Sequence, residues 1–239
     1  MTERGRRHAA RSRTVFGVGP SRLAWQDGCL EVQVDEREPI TGRRVRGRVR
    51  VQTSGLSTFA AALDAGGRHR WGPIAPCARV EVDFDRPGWR WAGSAYVDTN
   101  EGDEPIDRGF RRWDWLRTSR TPDGGTTVLY DVVQADGATR LIARRFEADG
   151  SCAALPVDAP RQPLPPAPWW RVDRRLRSVD AAAQVRRTLE DTPFYARSLI
   201  ALPQPGGGAV EAVHETLDVG RLVHPLVQRL LPVRMPRRP

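Results

Sequence analysis

Two short stretches carry side chains suited to moving a proton beside a greasy surface. Tyr96, Asp98 and Asn100 alternate with Val97 and Thr99, so on a strand the three share one face. His69 and Trp71 share a face by the same two-residue spacing. A free aspartic acid has a pKa near ~3.9, and burial in apolar surroundings raises it by up to ~3–5. A carboxyl kept neutral at pH 7 could therefore act as a proton donor from Asp98. The competing reading is that Asp98 caps the turn suggested by Asn100 and Gly102. Trp71 and Tyr96 could hold a developing positive charge against their ring faces, worth ~2 kcal/mol or more when desolvated. Plain core packing is the commoner fate of an aromatic. His69 could orient a water, take its proton or hold Asp98 in place. A lone histidine in a basic strand is more often structural, and spacing alone does not separate these roles.

Two Trp-x-Trp pairs, Trp89 with Trp91 and Trp113 with Trp115, each fall on one strand face and suit a pocket wall or a core layer. The acids Asp103, Glu104 and Asp107 stand near Arg108, Arg111 and Arg112. With Pro105 among them they read as a solvated ion-pair network rather than a catalytic carboxylate pair. The four histidines, His8, His69, His214 and His224, have no zinc spacing. The glycines of Pro203–Gly208 lack the strand, helix and lysine of a phosphate-binding loop. Neither a cofactor nor a metal is expected.

A net charge of +9 invites a nucleic-acid reading. Every basic residue is Arg, however, and the arginines are interspersed with 29 acids rather than gathered in a block. No nucleic-acid partner is expected, and attraction to an anionic membrane surface ranks above it. Cys29, Cys77 and Cys152 form no Cys-x-x-Cys and read as reduced thiols in a cytoplasmic protein. Residues 1–13 are Arg-rich without an apolar run behind them, so a signal peptide is not expected.

Strand patterns dominate. Leu30, Val32 and Val34 alternate with Glu31, Gln33 and Asp35. Val45, Val49 and Val51 alternate with arginines, and Val80, Val82 and Phe84 repeat the pattern. Asp136-Gly137 between two such runs predicts a hairpin turn. The Pro-rich stretch 156–170 reads as a connector. Leu222, Val223, Leu226, Val227, Leu230 and Leu231 predict a short amphipathic helix over about 221–231, packed on the barrel or lying at a membrane surface. The expected fold is mainly β, with antiparallel barrels and a short C-terminal helix. The expected division is an Arg-rich segment 1–13, a first β domain 14–118 carrying the motifs above, and a second β domain 119–239.

Residues 64–117 go further. The run His69-Arg70-Trp71-Gly72-Pro73-Ile74-Ala75-Pro76, the spaced pattern from Trp91 to Pro105 and the following FRRWDW resemble the core signature of the carotenoid 1,2-hydratases (hydroxyneurosporene synthases). GPSRLAWQDGCLEVQVDE before it and HETLD and LLPVRMPR after it extend the likeness over nearly the whole chain.

The resemblance implies a lipocalin-like, two-barrel architecture and a cofactor-independent hydro-lyase. That enzyme adds water to the C1–C2 double bond of acyclic carotenoids such as neurosporene and lycopene. Family members usually carry an additional N-terminal stretch of strands, so either the start of this chain is miscalled or its first barrel lacks a wall. The family's functional residues match His69, Trp71, Tyr96 and Asp98, which tips Asp98 towards proton donor. Trp89, Trp91, Trp113 and Trp115 are then candidate substrate-lining residues. The alternative is a non-catalytic lipocalin-like carrier of a carotenoid or other isoprenoid. The expected location is cytoplasmic, peripheral to the inner membrane, and the oligomeric state stays open.

Overall fold

The computed structural model describes residues 5–38, 41–118, 124–177, 183–203 and 208–231. Most of the Pro203–Gly208 loop, the extreme N-terminus and Arg234, Arg237 and Arg238 lie outside them. The protein is mainly β, built from antiparallel ladders as the alternation predicts. Its strands are β1 (Ala9–Arg11), β2 (Val15–Val18), β3 (Ser21–Gln26), β4 (Cys29–Arg37), β5 (Arg44–Thr53), β6 (Ala61–Ala62), β7 (His69–Arg86) and β8 (Trp89–Gly102). After the single turn of α1 (Ile106–Gly109) come β9 (Phe110–Thr118), β10 (Thr126–Gln134), β11 (Thr139–Phe146), β12 (Cys152–Ala154) and β13 (Arg161–Leu164). The remainder are β14 (Arg174–Arg177), β15 (Gln184–Asp191), β16 (Tyr195–Pro203) and β17 (Ala209–Asp218), then α2 (Val219–Leu222) and α3 (Pro225–Leu230).

These elements form two compact units, Met1–Ser54 with Ala78–Tyr96 and Gln228–Pro239, and Gly55–Cys77 with Val97–Val227. The division is discontinuous and does not fall at residue 118. β9, which ends there, pairs with β10 on one side and β17 on the other. A cut after β9 would sever two ladders.

In the first unit the alternating runs align across three strands. Val32 pairs with Val49 and Val49 with Val82, while Leu30 pairs with Val51 and Val51 with Val80. The opposite face sets Arg50 between Glu31 and Glu81, and Arg48 between Gln33 and Asp83. Arg44 closes on Asp35 at 2.7 Å. Acids on the neighbouring strands thus stand across from several β5 arginines, while Arg46 stands across from Arg86 on one side.

The second unit is organised by a seven-stranded sheet in the order β12-β11-β10-β9-β17-β16-β15. The Asp136-Gly137 turn joins β10 to β11 as predicted, with Gly137 at φ 92°. One sheet face buries Leu116, Ile200 and Ala212 against Leu164 and Leu176 of the β13–β14 hairpin. The stretch 156–170 is therefore no mere connector. β13 lies inside it and Leu164 packs into the core, with Pro163 tolerated because the hairpin has only two strands. The C-terminal helix is two short pieces, α2 and α3, with Pro225 opening the second as a proline at a helix start does. Val219 and Val227 are buried, whereas Val223 and Leu226 are exposed.

Candidate functional site

The other face of the seven-stranded sheet is aromatic. Tyr130 pairs with Trp115 and Val132 with Trp113 across β9 and β10, so these side chains share a face. β7 brings Trp71, almost fully buried, edge-on to the Tyr130 ring at 5.5 Å between centroids. Phe59 meets Trp71 at 6.1 Å and Trp113 meets Tyr130 at 6.3 Å, both near-perpendicular. These are geometries that edge-to-face quadrupoles favour.

The Asp98 carboxyl meets this aromatic group. The Trp71 Nε1–H donates to Asp98 Oδ2 at 2.8 Å. Tyr130 donates to Asn100 Oδ1 at the long distance of 3.5 Å, so Asp98 and Asn100 are both served by the aromatic cluster, as their shared face predicts. Burial pushes the Tyr130 hydroxyl well above its usual pKa, and the charges of Asp98 and Glu215 push the same way. Tyr130 is a neutral phenol at working pH. Asp98 itself is half-buried rather than sealed.

His69 plays a different part. Its Nδ1 lies 3.0 Å from Asp64 Oδ2 and its Nε2 lies 3.1 Å from the Glu104 carbonyl. The ring is buried against Phe110 at 4.6 Å. A Cβ added at Gly102 or Gly109 would come within 2.9 or 2.7 Å of the imidazole, so both glycines exist to let the backbone close on the ring. Both ring nitrogens are thereby occupied in tying the segment after β8 to the turn before β7. Burial pushes Asp64 up, but N–H bonds from the Arg68 and His69 amides and from the His69 ring outweigh it and hold the carboxyl below its usual range. Beside it Arg68 bonds Glu104 at 2.7 Å and Arg70 bonds Asp103 at 3.1 Å. Asp103 and Glu104 thus form ion pairs with Arg70 and Arg68 rather than, among the described residues, with Arg108 and Arg111.

The model of the family described as carotenoid hydratase CrtC matches residues 1–239. The chain belongs to this family. It is 52% identical over 241 residues to an acyclic carotenoid 1,2-hydratase of Rubrivivax gelatinosus, covering 100% of this chain and 58% of that protein. A hydratase of the same description from Cereibacter sphaeroides is 35% identical over 246 residues, covering 100% of this chain and 84% of the relative. The chain thus spans 58% of the length of the Rubrivivax protein and of a further relative from Thiocapsa roseopersicina, to which it is 43% identical. Among solved structures, the crystal structure of a Nitrosomonas europaea protein described as an AttH matches with a TM-score of 0.63 at 13% identity, over 88% of this chain and 72% of the other. That likeness is one of fold.

Within this member of the CrtC family, the remaining expected site residues separate. Trp113 and Trp115 sit on the aromatic face with Tyr130. Trp89 and Trp91 belong to the first unit and are 60% and 55% exposed. Tyr96 stands two residues before Asp98 on β8, half-buried. Tyr130 was not among the residues singled out, although the alternation of Val128, Tyr130 and Val132 already placed it on one face. The opposite sheet face holds a second polar set, with Asp114 accepting from Thr216 Oγ1 at 2.5 Å and from Arg112 Nε at 2.9 Å. His214 beside it is fully buried, its Nε2 2.8 Å from the Arg175 carbonyl. Among the described residues no group of three or more His, Cys, Asp or Glu is placed to hold a metal ion.

Proposed function

We propose that this chain carries the hydration chemistry of its family, adding water to the terminal C1–C2 double bond of an acyclic carotenoid such as neurosporene or lycopene. The observation that supports it best is the hydrogen bond from Trp71 Nε1 to Asp98 Oδ2 beside the Tyr130 ring. Hydration of an unactivated trisubstituted alkene begins with proton transfer to carbon, which demands an acid and surroundings that tolerate a carbocation. With Oδ2 accepting the indole N–H, a proton carried by Asp98 on its other oxygen would be the one donated in this scheme. It passes to C2 as the π pair forms the C2–H bond, leaving a tertiary cation at C1. Ring faces of Tyr130 and Trp113 stabilise that cation by the cation–π attraction, about 2 kcal/mol or more in a desolvated site.

Water then forms the C1–O bond and gives its extra proton back to the Asp98 carboxylate, so the acid is regenerated. The balance is redox-neutral and calls for no redox cofactor. His69 acts in this scheme as a positioning residue that fixes the segment after Asp98. In the same scheme the neutral Tyr130 hydroxyl, facing Asn100, holds the attacking water. Incubating the chain with neurosporene in deuterated water tests the route: the product should gain one D₂O, with one deuterium on C2. A product lacking carbon-bound deuterium would rule out protonation at C2. Co-purified carotenoid that never gains water would favour a carrier.

A further inference from the structure

Two tryptophans of the second unit stand in the open. Trp169 is 86% exposed and Trp170 is 49% exposed, in the turn that leads into β14. An indole buries 150–250 Å² when it has a partner, so displaying two side by side is costly unless something covers them.

The turn that displays them is rigid. The amides of Trp169 and Trp170 both donate to the Asp191 carboxylate, at 2.6 and 3.2 Å. Arg171 follows in the left-handed region at φ 53° and returns its amide to the Ala167 carbonyl at 3.2 Å. Arg221 of α2 clamps the turn from the other side, bonding the Trp170 carbonyl at 2.7 Å and the Arg171 carbonyl at 3.3 Å. A strained position held by this many bonds marks a conformation that the fold specifies. The same clamp ties the turn to the helical segment that exposes Val223 at 42% and Leu226 at 60%.

Three arginines and three acids lie nearby, and of the acids Asp173 is exposed between Arg171 and Arg175. Arg171, Arg221 and Arg175 flank the patch, and the Arg175 guanidinium has no ion pair or hydrogen bond among the described residues. Asp191 is turned inward on the tryptophan amides, and Asp218 caps Arg221 N at 2.9 Å. Arg175 also lines an open cavity of about 740 Å³ together with Val219, Gly220 and Val223 of the same helical segment.

We infer that Trp169, Trp170, Val223 and Leu226, with Arg171 and Arg175 beside them, form a surface that docks on an anionic phospholipid bilayer. Tryptophan is the residue that favours the boundary between headgroups and acyl chains. Arginines beside it meet the negative surface potential, each strengthening binding by about fivefold. The inference gains its purpose from the proposed function, since an acyclic carotenoid dwells in the bilayer, but its geometry stands without it.

The test is sedimentation of the 239-residue chain with phosphatidylglycerol-containing vesicles and with pure phosphatidylcholine vesicles, beside Trp169→Ser/Trp170→Ser and Arg171→Glu variants. The wild type should pellet preferentially with anionic vesicles and lose affinity as salt rises. The tryptophan variant should bind about tenfold or more weakly, and Arg171→Glu should weaken binding to anionic vesicles alone. The tryptophan variant should also hydrate carotenoid in detergent as the wild type does, yet fail on carotenoid held in vesicles. Equal pelleting of the wild type and the tryptophan variant would overturn the inference. So would a dimer that the tryptophan variant abolishes without lipid present, which would make the patch an interface between copies. Vesicle binding lost in the variant with no hydration by either protein would uphold the surface and sink the hydratase reading.

Discussion

Trp71 touches Asp98 through the one polar atom of its ring, the indole N–H, which donates to Oδ2 at 2.8 Å. The rest of the ring is buried and meets Tyr130 edge-on at 5.5 Å. A single side chain therefore orients the carboxyl and carries part of the aromatic wall. These two tasks can be separated by substitution.

Trp71→Phe removes the N–H and keeps an aromatic ring. The carboxyl becomes a carboxylate as its proton leaves, and a hydrogen bond to a charged group is worth about 1.5–3 kcal/mol, so turnover should fall by about tenfold to a hundredfold. Thermal unfolding should shift much less than for Trp71→Ala, which would leave a large cavity. Steady-state rates and melting curves on both variants make the check. An unchanged rate in Trp71→Phe would remove the bond from the mechanism.

Tyr130 separates ring from hydroxyl in the same way. Tyr130→Phe keeps the ring face and loses the 3.5 Å contact to Asn100, so the rate should fall modestly, by several-fold. Tyr130→Leu removes the face as well and should cost about 2 kcal/mol more in the barrier, roughly thirtyfold. Equal losses in the two variants would assign the whole effect to the hydroxyl.

His69 should report through stability. Both of its nitrogens are spent on Asp64 and Glu104, and removing the buried ring loses both contacts and its packing on Phe110. His69→Ala should destabilise by about 2–4 kcal/mol, and Gly109→Ala should destabilise as well, because its Cβ would meet the ring at 2.7 Å. Asp64 gives this region its pH dependence. Its carboxyl is held below the usual range, so its contribution is present above the ordinary pKa of about 3.9 and is lost as pH falls through the lower folded value. Asp64→Asn should flatten the acid limb of denaturant-measured stability. An acid limb that matched the wild type would contradict this assignment.

His214 should give a second, separate pH dependence. Burial holds it below its ordinary pKa, with Arg174 and Arg112 adding to that effect and Asp114 and the Arg175 carbonyl opposing it. The unfolded chain takes up a proton near pH ~6.5 while the folded protein does not, so stability falls as pH drops below that value. His214→Gln should be less stable at pH 8 but should lose less between pH 7 and pH 5. Parallel profiles for the two proteins would show that another group titrates.

Much of the fold was legible because strand alternation fixes which residues share a face. The rows joining Val32, Val49 and Val82 follow directly from it, as does the hairpin at Gly137. Spacing does not say which face is covered, and the two Trp-x-Trp pairs show this. Trp115 is buried whereas Trp89 and Trp91 are largely exposed, since cover comes from strands distant in sequence. The prolines of 156–170 suggested a connector, yet an edge strand admits proline and Leu164 found a core to enter. At the site, the pairing of Trp71 with Asp98 joins residues 27 apart in sequence. Their motif membership pointed to them, while their hydrogen bond could only be seen once β7 and β8 were formed. Tyr130 arrives from a third strand, and its alternation with Val128 and Val132 gives it a face but no role.

The central claim is that Asp98 supplies the proton. Asp98→Asn keeps the shape of the side chain and an acceptor oxygen for the Trp71 N–H, but it has no carboxylic proton to give. The most direct measurement assays the wild type and this variant side by side on neurosporene and lycopene in detergent, with products separated and weighed for the gain of one water. Hydrated product from the wild type and a loss of at least about a hundredfold in the variant, with an unchanged melting curve, is the expected result. Equal product from both proteins would contradict it and place the acid elsewhere.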